Sequence, residues 1–230
     1  MRVLSESPLF AGLEHSVLTE MVDTLSVVHW VPHAAVMTQA ETLTRFYVLL
    51  RGRVKITRAN ARTGREVTLF LLGPGDGFSV VSLLDGQPHE VDAETLDPVD
   101  ALSGPTALWN SWLDRYPAFR KAMRRYLLAR MQEVSELAGD LALHDTMTRL
   151  VHLILRYFDG LDPKAPPRPN LIKDLSDEEL AYMIGTVRVV MNRLLGELKR
   201  EGVIDTRGGE LHVRNLEKLL RKAEQRVRSV

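Results

Sequence analysis

Ser176-Asp-Glu-Glu-Leu-Ala-Tyr-Met-Ile-Gly185-Thr-Val-Arg-Val-Val-Met-Asn-Arg-Leu-Leu-Gly-Glu-Leu-Lys-Arg200 contains two helix-forming runs joined at a single glycine. Ser176 followed by Glu179 has the spacing of a capping box, in which the hydroxyl caps the helix and the carboxylate reaches back. A short helix runs on through Leu180, Ala181, Tyr182, Met183 and Ile184. Gly185 breaks it where a tight turn needs a left-handed residue. The second helix extends roughly from Val187 to Glu201 and is stopped by Gly202. Ala181, Gly185, Met191 and Leu194 stand at offsets 0, 4, 10 and 13. A small residue lets the helices approach, glycine makes the turn, and two apolar side chains plug the angle. That is the packing requirement of a helix-turn-helix.

Downstream, Gly202-Val-Ile-Asp205, Arg207-Gly-Gly-Glu210 and Leu211-His-Val213 read as a hairpin, which makes the unit a winged helix. Such a unit implies nucleic-acid binding, the rival being a winged helix that binds only protein. The open face of the second helix offers Thr186, Arg188, Val189, Asn192, Arg193, Lys199 and Arg200. Arginine can bridge guanine O6 and N7, and asparagine can bridge adenine. Arg188, with Asn192 or Arg193, is expected to read bases; Lys199 and Arg200 suit phosphate contacts or plain solvation. Residues 186–230 hold eleven Lys/Arg against six Asp/Glu, a local surplus in a chain of zero net charge.

Toward the N-terminus the pattern changes. Ser7 to Leu25 reads as one short helix, with Leu13, Val17, Leu18, Met21 and Leu25 on one face. Val27–Val31, Phe46–Leu50, Val54–Thr57 and Val67–Leu72 are short β-branched or aromatic runs. Pro32, Arg51-Gly52, Thr63-Gly64 and Gly73-Pro-Gly-Asp-Gly77 separate them. Such spacing suggests an antiparallel barrel or jelly roll. The strand signal fades after Leu102. From Pro117 to Leu141 strong helix formers follow, and Leu127, Met131, Val134, Ala138 and Leu141 repeat at four and three, a coiled-coil seam. The seam favours a parallel homodimer over packing on the chain's own barrel. Asp145 is placed to cap a further helix, Thr146 to Phe158, ended by Gly160 and followed by the proline-rich loop 162–169. The expected organisation is α+β: a β-barrel over 1–110, a dimerisation helix over 111–143 and a winged helix-turn-helix over 144–230.

Composition narrows the function. The 230 residues include no cysteine, which removes disulfides, thiolate-bound metal and thiol redox sensing. No apolar run approaches the ~18 residues of a membrane span, and the N-terminus lacks a signal peptide's apolar core, so a cytoplasmic location is expected. The seven histidines have no zincin spacing. The Gly73–Gly77 run lacks the Lys-Ser/Thr of a phosphate loop, and no nucleophile elbow occurs. An enzyme is not expected.

Nearly the whole chain resembles the cyclic-AMP receptor protein/fumarate-nitrate regulator family. Ser7-Pro-Leu-Phe-Ala-Gly-Leu13 is similar to its opening helix, and Tyr47–Val54 to its barrel hairpin. Gly73-Pro-Gly-Asp-Gly-Phe78 with Ser82-Leu-Leu-Asp-Gly-Gln-Pro88 looks like its effector cassette. Leu175 to Val213 matches its DNA-binding domain most closely. The resemblance implies a cyclic-nucleotide-binding-like barrel whose pocket would be lined by Phe78, Ser79, Val80, His89 and Glu90. Cyclic-nucleotide binders keep a Gly-Glu pair where this chain has Ser79 and Val80. They keep an arginine where it has His89, and a small hydroxyl residue where it has Glu90. The Gly-Asp of an early turn becomes Ala40-Glu41. A buried phosphate needs a fixed cation and donors, which argues against cyclic AMP.

Arg188 and Arg193 fall on the family's DNA-reading arginines, but the glutamate between them is Val189 here. Valine can touch a thymine methyl and cannot accept from cytosine. The expected half-site therefore differs from the family's TGTGA-like or TTGAT-like sequences. The expected partners are double-stranded DNA bearing a pseudo-palindromic operator, a second copy of the chain, and RNA polymerase. The effector is expected to be absent or not a nucleotide, with no cofactor. The alternative within the family is a haem-based sensor of nitric oxide or carbon monoxide, ligated by one of His15, His29, His33 and His89.

Overall fold

The computed structural model describes residues 1–37, 43–89, 91–158 and 170–225, save the side chains of Met37, Glu224 and Gln225. Ala40-Glu41, Glu90, Gly160 and the loop at 162–169 lie outside the described residues.

Two four-stranded antiparallel sheets face each other. One holds β1 (Ser26–Trp30), β8 (Val99–Pro105), β3 (Arg45–Arg51) and β6 (Gly77–Phe78), in that order. The other holds β2 (Ala35–Met37), β7 (Asp92–Thr95), β4 (Val54–Ala59) and β5 (Glu66–Leu72). Side chains alternate across a strand, and β3 shows what that does. Tyr47 and Leu49 point between the sheets to join Val54, Ile56, Phe78, Val99 and Ala101. Phe46 and Val48 point the other way, into a second core roofed by helices. A strand buried on both faces must be apolar throughout, which is why Phe46–Leu50 is unbroken.

The roof is made of α1 (Arg2–Ser5), a 3-10 turn (Pro8–Phe10), α2 (His15–Asp23), α3 (Val80–Asp85), α4 (Thr106–Arg115) and the first half of α5 (Pro117–Leu143). The single opening helix expected over 7–25 is in fact broken. Ser7 Oγ accepts from the Leu9 N–H at 3.1 Å and donates to the Gly75 carbonyl at 2.6 Å, tying this turn to the glycine run. The strand signal that fades at Leu102 in sequence continues to Pro105 in β8. The unexpected α4 follows at once and buries Trp109, Trp112 and Leu113. Trp109 is fully buried and meets Phe46 edge-on at 4.7 Å between centroids. Burying such a side chain stabilises by roughly 1.5–3 kcal/mol.

The long helix α5 changes character along its length. Phe119, Met123 and Tyr126 recur at helical spacing and are buried in the roofed core, and Ala122 is buried on the same helix. Tyr126 Oη donates to the Gly77 carbonyl at 2.9 Å and accepts the Gly77 N–H at 3.1 Å. Burial holds this phenol well above its ordinary pKa. Farther on, Leu128, Met131, Val134 and Leu141 are exposed apolar residues, Met131 by 67%.

By compactness the chain forms two units, residues 1–59 with 69–134, and residues 60–68 with 135–230, so α5 contributes to both. In the second unit, α6 (Thr146–Tyr157) starts at Asp145, whose side chain accepts from the Thr148 N–H at 2.9 Å. Then come α7 (Asp177–Met183), α8 (Arg188–Arg200), the hairpin β9 (Ile204–Arg207) and β10 (Glu210–Val213), and α9 (Leu216–Gln225). Among the described residues, no helix is long and apolar enough to cross a membrane.

Candidate nucleic-acid interface

The turn between α7 and α8 is built as its spacing requires. Ser176 Oγ accepts the Glu179 N–H at 3.2 Å, and three acidic residues occupy the first turn of α7, where the helix dipole favours them. Ala181, Met191 and Leu194 are all buried. Gly185 takes φ +63°, and the Thr186 N–H bonds the Ala181 carbonyl at 2.9 Å. From α6, the Arg149 guanidinium donates to the Ile184 carbonyl at 2.7 Å, satisfying a group that the end of α7 leaves open.

Arg188, Val189, Asn192 and Arg193 share one exposed face of α8, at the i, i+1, i+4 and i+5 positions of a helix. Val189 is 80% exposed, far more than a valine serving the fold. Among the described residues, the side chains of Arg188, Arg193 and Lys199 have no hydrogen-bond or ion-pair partner. Asn192 differs: its Nδ2 donates to Asp177 Oδ2 at 2.9 Å, so a base would have to replace that contact. Thr186 is half-buried at the turn. Lys199 and Arg200 stand at the far end, where Arg200 Nε reaches the Gly196 carbonyl at 3.3 Å. The C-terminus of α8 is closed by α9, with Lys218 Nζ on the Glu201 carbonyl at 3.1 Å and Lys222 on the Glu201 carboxylate at 2.7 Å.

The hairpin pairs Arg207 with Glu210 across Gly208 and Gly209, whose φ of +60° and +87° fit a two-residue type I′ turn. Asp205 sits beside both Arg207 and Arg214, at 3.2 and 3.4 Å. The Arg207 hydrogen bond, then the Thr206 N–H, hold its carboxyl below the ordinary value.

Of the residues assigned to the effector pocket, Phe78 and Val80 belong to different cores. Phe78 lies between the sheets, stacked on Tyr47 with centroids 4.8 Å apart and flanked by Trp30. Ser79 takes φ +68° and starts α3, which turns Val80 into the roofed core on the opposite side. His89 is half-exposed, its Nε2 2.8 Å from Asp85. Glu90 lies outside the described residues. Of the histidines considered for haem, His29 pairs with Asp100 at 2.6 Å, His33 with Glu94 at 3.2 Å and His89 with Asp85; His15 is exposed on α2.

Three groupings escaped the sequence reading: the Asn192–Asp177 contact, the Arg149 bond to the turn, and a cluster of Asp140, His144 and His152. Only the last left a signal, since Asp140 and His144 stand four residues apart in the sequence. His152 joins them from beyond a helix break that spacing does not count across.

Comparison with known proteins agrees with this geometry. Residues 27–116 match the cyclic nucleotide-binding domain, and residues 148–222 the Crp-like helix-turn-helix domain. A CRP-like cAMP-activated global transcriptional regulator of Mycobacterium tuberculosis is 27% identical over 96% of this chain and 98% of its own. A global nitrogen regulator of Synechocystis is 31% identical over 74% of this chain and 76% of its own. The structure of a CooA mutant from Carboxydothermus hydrogenoformans superposes with a TM-score of 0.73 at 20% identity, covering 94% of each chain. The chain belongs to the CRP/FNR family of transcription regulators.

Proposed function

We propose that this regulator binds a pseudo-palindromic operator as a homodimer, presenting two α8 helices about one DNA turn apart. The observation that carries the reading is the exposed face of Arg188, Val189, Asn192 and Arg193, with both arginines free of partners among the described residues. An unpaired guanidinium on a rigid helix loses little on meeting guanine and supplies two parallel hydrogen bonds. Dimerisation rests on Met131, Val134, Ala138 and Leu141, exposed on one stripe of α5, while Leu127 is partly covered by the barrel's own core. At a promoter, such a dimer would meet RNA polymerase.

Control by a signal other than cyclic AMP is part of the proposal, although the M. tuberculosis relative is named as cAMP-activated. The support is local. The second position after Phe78 carries a buried Val80, which has no polar atom for a ribose hydroxyl, and His89 is held by Asp85 at the surface. Between the sheets, Trp30, Tyr47 and Phe78 pack on one another. The carboxylate contacts of His29, His33 and His89 each leave a second ring nitrogen open, as in metal-bound histidines, so a Soret measurement is what separates the haem alternative. Equilibrium titration with cyclic AMP, alongside a Soret-band measurement after haem reconstitution, tests both. Micromolar cyclic-AMP binding, or a stoichiometric Soret band, would overturn the proposed control.

A further inference from the structure

We infer that Asp140, His144 and His152 form a divalent transition-metal site at the joint between α5 and α6, through which metal occupancy is linked to DNA binding. The linkage rests on the operator-binding reading above; the metal site does not. One donor atom from each residue lies within 4.8 Å of the other two. The rings of His144 and His152 are perpendicular with centroids 5.0 Å apart, and His152 Nδ1 is 2.7 Å from Asp140 Oδ1. Four-coordinate zinc, with ligands at ~2.0–2.1 Å, needs donors about 3.3 Å apart. That spacing requires opening the closest pair by roughly half an ångström and drawing His144 in.

The donor chemistry selects the metal class. Two imidazoles and one carboxylate suit Zn²⁺, Co²⁺, Ni²⁺ or Fe²⁺ and leave positions open for water. A single carboxylate is too few oxygens for Mg²⁺ or Ca²⁺. The second oxygen of Asp140 is already oriented, since Oδ2 faces Arg156 at 3.4 Å, as the outer partner of a metal-bound carboxylate should be. Arg156 also reaches Glu136 at 3.7 Å, which shares its charge. All three ligands are half-buried, so water does not fully screen them.

Position gives the site its consequence. Asp140 is in the last turn of α5, His144 is in the connector, and His152 is on α6. Next to Asp140, Leu141 rests on Gly185, and about one turn before His152, Arg149 holds the Ile184 carbonyl. A metal bridging the joint therefore fixes both supports of the helix-turn-helix turn. Couplings of this kind typically change affinity about 5–150-fold.

The test is a titration of the full-length, chelator-treated protein with Co²⁺, read by its visible ligand-field absorption, with Mg²⁺ as the comparison ion. One Co²⁺ per chain, displaced by Zn²⁺ and absent with Mg²⁺, is expected. His152→Gln, His144→Gln and Asp140→Asn should each weaken binding more than about tenfold while far-UV circular dichroism is unchanged. Operator affinity of the wild type should differ at least fivefold between metal-loaded and chelated protein, and the difference should vanish in His152→Gln. Absence of a one-to-one Co²⁺ signal, or a signal that survives all three substitutions, overturns the site. Equal operator affinity with and without metal overturns the linkage. A protein that binds Co²⁺ as expected yet binds no DNA under either condition contradicts the operator reading instead.

Discussion

Leu141 on the long helix lies so close to Gly185 that a Cβ on that glycine would sit 2.6 Å from its Cδ2. Gly185 therefore answers two demands, a left-handed backbone and room for a neighbour. Gly185→Ala should destabilise the second unit by about 1–2 kcal/mol, chiefly left-handed strain, with a smaller overpacking part because Leu141 Cδ2 is the tip of an exposed side chain that can swing aside. Adding Leu141→Ala should recover the overpacking part alone. Amide exchange in α7 and α8 is the measurement, and purely additive effects of the two substitutions would contradict the contact.

Arg188→Ala and Arg193→Ala should each weaken operator binding by ~1–3 kcal/mol with thermal stability unchanged, because neither side chain supports the fold. Asn192→Ala should weaken it less, since that amide must first leave Asp177. Calorimetry paired with fluorescence anisotropy separates affinity from stability. Equal affinity for the wild type and Arg193→Ala would remove Arg193 from the interface.

The Arg53–Asp97 pair gives an acid-dependent term. Arg53 is 13% exposed and binds Asp97 through two contacts of 2.7 Å, holding that carboxyl below its ordinary value of 3.8. A carboxyl depressed in the folded state stabilises above its unfolded value and loses that contribution as pH falls through the folded one. Asp97→Asn should cost about 1–2 kcal/mol at neutral pH, allowing for its partial exposure. It should also flatten the loss of stability below about pH 4, as followed by urea unfolding. Parallel acid limbs for the two proteins would contradict the assignment.

The seam on α5 predicts assembly. Wild type should sediment at about twice 26.0 kDa. Met131→Asp with Val134→Asp should sediment as a monomer and bind the operator at least tenfold more weakly, since two half-sites then act separately. A wild-type monomer in the presence of operator would refute the dimer.

The helix-turn-helix was legible because its packing is local: Ala181, Gly185, Met191 and Leu194 meet across one turn, and their spacing is written in the chain. The doubly buried β3 was legible as an apolar run. What escaped depended on distant partners. Ser7 breaks the opening helix by bonding Gly75, 68 positions away. The strand β7 (Asp-Ala-Glu-Thr) is polar on the face where Glu94 meets Lys55 and His33, so it gave no apolar signal. Phe78 and Val80 look like neighbours in one pocket until α3 places them on opposite sides of a sheet.

The decisive measurement is a binding selection with full-length protein on randomised double-stranded DNA. An inverted repeat with half-sites about one turn apart is expected, shifted in sequence when Val189 is changed to Glu. Enrichment of no sequence, or of a motif without twofold symmetry, would contradict it.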